Sequence, residues 1–216
     1  MTRVREVLAW LEAEGSAKGR AELARYGLPA DGAYGIGVGV LKAKAKTLGR
    51  DHALALGLWA SGRYEARLLA TFVDDPAALT VAQLNAWAAD FDNWGICDTA
   101  CFHLFDRTPL AWARIKPWAR ASATYHKRAA FALLWALTVH DRTAADAPYL
   151  ACLPLIAKAA TDERDHVKKG VDMALRAVGK RNATLRVAAR ALAAELAASE
   201  DKTAAWIGRH AGRELR

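Results

Sequence analysis

The segment Asp92-Asn93-Trp94-Gly95-Ile96-Cys97-Asp98 reads as the opening of a helix, and it sets an indole and a carboxylate four residues apart. That spacing stacks Trp94 and Asp98 on one helix face. Cys101, Phe102 and Phe105 surround Asp98 at helical spacing, poor company for a charge. A carboxylate in such surroundings is partnered, protonated or retained for function. The structural alternative is an ion pair, for instance with Arg128, in which Asp98 only pins two helices together.

Two further helical faces carry chemistry. Along residues 163–180, Lys169, Met173, Arg176 and Lys180 fall within about 60° of one another, while Val167, Val171, Ala174, Leu175 and Val178 occupy the opposite side. Long basic side chains one turn apart suit a run of phosphates. Met173 is the apolar exception within that stripe, and ordinary packing against a neighbouring helix explains it equally well. Along 124–139, Leu133, Leu134 and Leu137 point one way, and Tyr125, Arg128, Phe131 and Trp135 share the other side. Interleaved basic and aromatic groups suit contacts to phosphate and sugar, with core packing of Phe131 or Trp135 as the alternative.

Other constellations are weak. Cys97 and Cys101 lie one turn apart, but no Cys or His at metal-site spacing completes a ligand set, so neither metal nor cofactor is expected. No cysteine or serine has an evident base partner, which leaves nucleophilic catalysis unsignalled. Gly32-Ala33-Tyr34-Gly35-Ile36-Gly37-Val38-Gly39 lacks the G-K-[ST] of a phosphate loop. Three cysteines without a C-x-x-C pair fit a reducing compartment, and a cytoplasmic location of bacterial type is the expectation. Met1-Thr-Arg-Val leads straight into an amphipathic helix with Glu6, Glu12 and Glu14, so no signal peptide is expected. No apolar run reaches the roughly 20 residues of a membrane span.

The elements that must position these groups are helices. Ala, Leu, Arg and Glu recur and runs of Val, Ile and Thr are nearly absent, a composition that favours helix almost everywhere. Periodicity predicts helices near 2–14, 17–26, 38–48, 51–60, 63–73, 80–89, 94–106, 109–121, 124–139, 146–159, 163–180, 183–197 and 200–211. Their starts carry Thr80, Thr108-Pro109 and Thr161-Asp162-Glu163. First helices of pairs begin near 63, 94, 124 and 163, a loose helical-pair period. The expectation is an all-α fold, an α-solenoid of stacked antiparallel helix pairs with a concave basic face, as a single monomeric domain over 1–216.

Charge is unevenly placed along that array. Residues 1–108 hold 12 Lys/Arg against 13 Asp/Glu, and residues 109–216 hold 19 against 10. A basic half is the electrostatic footprint of a nucleic-acid binder, and charge alone fits a well-solvated surface too.

These residues resemble the HEAT-like-repeat DNA alkylation repair family of DNA glycosylases. The likeness rests on Asn93-Trp94-x-x-x-Asp98, Tyr125-His126-Lys127-Arg128-Ala129-Ala130, and Val167 to Arg176 followed by Gly179-Lys180-Arg181-Asn182. Tyr34-Gly35-Ile36 to Lys46 and Leu58 to Arg67 fit in register. The resemblance implies excision of positively charged N-alkylated purines, of the 3-methyladenine and 7-methylguanine type, from double-stranded DNA without base flipping. It implies that Asp98 stabilises an oxocarbenium-like sugar and positions water, that Trp94 lies against the deoxyribose, and that Arg128 reaches the nearby backbone. Lys42, Lys46, Arg176 and Lys180 become phosphate contacts, with Tyr125, Lys169, Met173 and Arg181 completing the DNA-binding set.

One departure matters. Catalytically competent members of the family carry a second tryptophan where this chain has Met173. A thioether keeps polarizable contact but lacks the flat aromatic face that supports a cationic sugar. A non-catalytic DNA-binding solenoid for damaged or branched DNA is therefore the alternative function, and a scaffold holding an acidic protein or RNA is a third.

Overall fold

The computed structural model describes residues 2–216; Met1 of the Met1-Thr-Arg-Val segment expected to lead into the first helix lies outside the described residues. Among these residues the secondary structure is helical throughout, with no strand. The helices are α1 (Thr2–Glu14), α2 (Ala17–Arg25), α3 (Val38–Leu48), α4 (His52–Ala60), α5 (Tyr64–Val73), α6 (Val81–Ala89) and α7 (Trp94–His103). A 3-10 turn at Phe105–Arg107 follows, then α8 (Trp112–Trp118), α9 (Thr124–His140), α10 (Asp146–Ala159), α11 (Asp165–Arg181), α12 (Ala183–Ala197) and α13 (Lys202–Glu214). None of the described helices is long and apolar enough to cross a membrane.

The chain divides into two compact units, Met1–Leu84 with Asp92–Thr108, and Asn85–Phe91 with Pro109–Arg216. In the first, α5 is central: α3, α4 and α7 pack on it, and α1 rests on α4 and α5. Leu41, Leu58, Leu68, Leu69 and Ile96 are sealed from solvent there. Helix starts use side-chain caps, Asp51 accepting from the Leu54 amide at 2.9 Å and Thr80 from the Gln83 amide at 3.1 Å. The glycine-rich segment does cradle an anion, but an internal one. The fully buried Glu65 carboxylate accepts from the amides of Tyr34, Gly35 and Ile36 at 2.9, 2.6 and 3.2 Å. Gly35 is required here: its φ is +81°, and a Cβ would fall 2.3 Å from the Ser16 carbonyl.

In the second unit α9 and α11 lie side by side, and α11 also meets α12 and α13. Behind them α10 touches α8, α11 and α12. Val167, Val171, Leu175 and Val178 are fully buried, so the valine side of α11 faces the core as its periodicity predicts. Four residues, 198–201, join α12 to α13, a connection that makes the two antiparallel neighbours.

The largest departures from the expected helix boundaries fall in α7, α8 and α13. Helix α7 stops at His103 because Leu104 leaves the helical region (φ −138°, ψ −57°) and the chain turns to bury Leu104 and Phe105 completely. Phe105 therefore stands off the helical phase of Asp98. Helix α8 is shorter than 109–121, since that 3-10 turn precedes it and Thr108-Pro109 does not start it. Helix α13 runs to Glu214, capped by Asp201, which accepts from the amides of Thr203 and Ala204. Asp162, in the Thr161-Asp162-Glu163 segment expected just before a helix, binds the Arg164 guanidinium and, at 2.9 Å, the Lys127 ammonium of α9.

Candidate nucleic-acid interface

In the first unit the chemistry gathers at the start of α7. Asn93 caps it, its side-chain oxygen accepting from the Ile96 amide at 2.9 Å. Gly95 lets this turn close on its neighbours, for a Cβ would meet the Tyr64 hydroxyl at 2.6 Å. That hydroxyl is held protonated, its pKa pushed up by burial and by Glu65. Trp94 is half-buried, and its indole Nε1 donates to the Tyr26 carbonyl at 3.1 Å, which fixes the ring plane. One turn on, Asp98 is also half-buried. Tyr26 itself is 60% exposed beside Trp94, an aromatic the sequence reading passed over. Its only signal was a position at the end of the short helix expected over 17–26.

Lys42 and Lys46, one turn apart on α3, are exposed and line a cleft of about 430 Å³ together with Arg50, Phe72, His103 and Arg107. Lys42 Nζ lies 5.5 Å from the Phe72 ring centre, and no carboxylate lines this cleft. Arg50 donates to the Phe72 and Asp74 carbonyls, so part of its charge serves the end of α5.

In the second unit Lys169 and Lys180 are exposed on α11, and Met173 and Arg176 are half-buried between them. Met173, Arg176, Ala177 and Lys180 share a cavity of about 240 Å³ with the half-buried Trp135 of α9. The stripe carries internal counter-charges that sequence reading missed. Asp172, 2% exposed, receives Arg176 Nε at 3.0 Å and His210 Nδ1 at 2.8 Å. Glu214 takes Lys180 at 2.8 Å and Arg176 at 3.7 Å, and its carboxyl is held below the usual range by hydrogen bonding and charge from Lys180. The Asp172-x-x-x-Arg176 spacing was the available sign of this network.

The remaining expected residues separate. Tyr125 is half-buried, its ring 5.0 Å from that of His166. Arg128 is 4% exposed and donates from Nη1 to the His166 carbonyl at 2.7 Å, a bond that ties α9 to α11. Phe131 is fully buried, which corrects its placement on an outer face: it is core, and only Trp135 of that pair reaches the surface. Arg181 donates to the Thr138 and Ala144 carbonyls at 3.1 and 2.9 Å and lies over the Tyr149 ring at 4.5 Å. Its guanidinium is thus engaged within the unit.

With this geometry in view, comparison with known proteins gives a family. The family model described as DNA alkylation repair enzyme matches residues 7–215, and the chain belongs to that family. A solved structure described as one of a new family of proteins related to the HEAT-like repeat DNA glycosylases, with affinity for branched DNA structures, superposes with a TM-score of 0.79. It is 18% identical, and the match covers 97% of this chain and 94% of that one, so the two share the fold. No curated protein matches the chain.

Proposed function

We propose that the chain is a DNA glycosylase that releases cationic N-alkylated purines from duplex DNA. The observation that carries this reading is the first turn of α7, where an asparagine cap and a carbonyl-anchored indole precede a half-buried carboxylate by one turn. A cationic N-alkylpurine is already activated. The N-glycosidic bond breaks, its electron pair leaves with the base, and the base departs neutral. Positive charge then develops on the sugar, where the Asp98 carboxylate opposes it. Water adds to C1′ and gives up a proton, for which Asp98 is the nearby base, leaving an abasic site. Trp94 packs against the deoxyribose, and its fixed ring plane keeps this contact in register. Lys169, Arg176 and Lys180 neutralise phosphates, and Lys42 and Lys46 do so from α3. Arg128 acts as a positioning residue through its bond to α11.

A second reading is favoured by Met173, whose thioether lines the cavity where the resemblance expects an indole. On that reading the chain binds DNA without excising a base, in line with the branched-DNA affinity ascribed to the related fold. Incubation with duplex DNA carrying 7-methylguanine separates the two. Free 7-methylguanine released by the wild-type protein supports the glycosylase; tight binding with no release supports the non-catalytic reading.

A further inference from the structure

Helix α13 has two charged sides. Trp206, His210 and Glu214 follow one another at four-residue spacing on the side that meets α11 through Asp172 and Lys180. Arg209 and Arg213 run along its other side and Arg216 follows just past its end, where Arg190 of α12 joins them around a cleft of about 410 Å³. The floor is alanine and glycine. At Gly208 a Cβ would fall 2.2 Å from the Ala197 amide, so the two helices touch backbone to backbone and only guanidinium groups rise from the floor. All four arginines are exposed. No acidic residue lines the cleft, and none of the four forms an ion pair with a carboxylate among the described residues.

This differs from the α11 side, where Arg176 and Lys180 are already met by Asp172 and Glu214. Four exposed guanidinium groups without a carboxylate partner around one cleft set a positive potential that favours an anion there. Guanidinium forks match phosphate oxygens bidentately. The cleft offers no aromatic lining for a base. From Arg209 to Arg213 the helical rise is about 6 Å, a distance over which one DNA strand presents about two phosphates.

We propose that the arginine cleft between α12 and α13 is a second phosphate-backbone site, which holds a DNA segment other than the one laid along α11. The proposal rests on the reading that the α11 stripe binds duplex DNA. On α13 Arg209 and Arg213 lie about 100° around the helix from His210 and Glu214, so the two tracks run along different flanks of it. A branched DNA offers two arms at once, and the second contact then forms at high effective concentration. A short linear duplex uses one track at a time.

The test is fluorescence anisotropy with a four-way junction and with a linear duplex of about 20 base pairs. It compares wild type, the pair Arg209→Gln/Arg213→Gln, and the pair Arg176→Gln/Lys180→Gln, with circular dichroism melts to confirm folding. The first pair should lose roughly tenfold on the junction and less than about twofold on the linear duplex. Its log–log salt slope on the junction should be shallower by about 2. The second pair should lose on both DNAs. Unchanged junction binding by the first pair overturns the proposal. An equal loss on both DNAs overturns it as well, since the arginines would then belong to one continuous face. If only the second pair leaves both affinities unchanged, the α11 reading fails while a junction-specific loss in the first pair still supports the cleft. Polyglutamate that displaces the junction from wild type at lower concentration than DNA does would assign the cleft to an acidic protein and overturn it.

Discussion

Asp172 and Arg176 lie one turn apart on α11, with the buried carboxylate Oδ2 3.0 Å from the guanidinium Nε. The other oxygen, Oδ1, is 2.8 Å from His210 Nδ1 on α13. One carboxylate thus aims the arginine of the basic stripe and fastens α13 to it. Asp172→Ala should lower stability by roughly 1–3 kcal/mol, the cost of stripping partners from polar groups that remain half-buried. A shift in the urea midpoint with unchanged slope checks this, and an unchanged midpoint would show the network to be idle.

Glu214 competes with phosphate for the same cations, being 2.8 Å from Lys180 and 3.7 Å from Arg176. Glu214→Gln should therefore tighten binding to any duplex by a few-fold at low salt, and the gain should shrink as salt screens the charges. Charge reversal of Arg176 and Lys180 to Glu should weaken all duplexes about equally, independent of sequence. Filter binding across a salt series reads both effects. Affinity that falls on removing Glu214 would mean that the glutamate orders the cations more than it occupies them.

Much of the fold was legible in the sequence, and the reason differs from part to part. Thirteen helices were expected near their observed places because Ala- and Leu-rich periodic stretches leave little choice. The Val167, Val171 and Val178 stripe gave the inner face of α11 for the same reason. The one-turn spacing of Trp94 and Asp98 on α7 was legible because helical periodicity runs through both. What escaped depends on contacts distant in sequence: Glu65 neutralising the glycine-rich segment, Asp172 meeting His210, and Tyr26 carrying the Trp94 indole. Arg128 and Arg181 looked like surface cations, yet long side chains fold back onto backbone carbonyls 38 and 43 residues away. Periodicity has no access to that choice.

Met173 shares its cavity with Trp135, Arg176 and Lys180, and it is half-buried rather than core. Met173→Trp should fold, with a stability change of about 0.5 kcal/mol or less. On the proposed glycosylase reading, an aromatic face there would support a cationic sugar by roughly 0.5–2 kcal/mol. If realised only in the transition state, that raises single-turnover excision about 2- to 30-fold. Met173→Ala should not. A rate unchanged in a folded Met173→Trp protein would remove position 173 from the reaction.

Asp162 is held well below the usual carboxylate range by hydrogen bonds from Arg164, with Lys127 adding to them. Its folded carboxyl titrates below its unfolded one, whose ordinary value is 3.8. The cluster therefore stabilises fully at neutral pH, and this contribution is lost as pH falls below about 4 toward the folded value. Asp162→Asn should be less stable than wild type at pH 7, and the gap should narrow by pH 3. Thermal melts at both values check the sign, and a gap that widens in acid would reverse it.

On the proposed function, Asp98 carries the chemistry of base release. The decisive experiment is single-turnover release of 7-methylguanine from duplex DNA, measured for wild type and Asp98→Asn beside their DNA affinities. An amide keeps the shape and removes the charge, so excision should fall roughly 10²-fold or more while binding survives. An Asp98→Asn protein that is folded, binds DNA and releases base at the wild-type rate would contradict the claim.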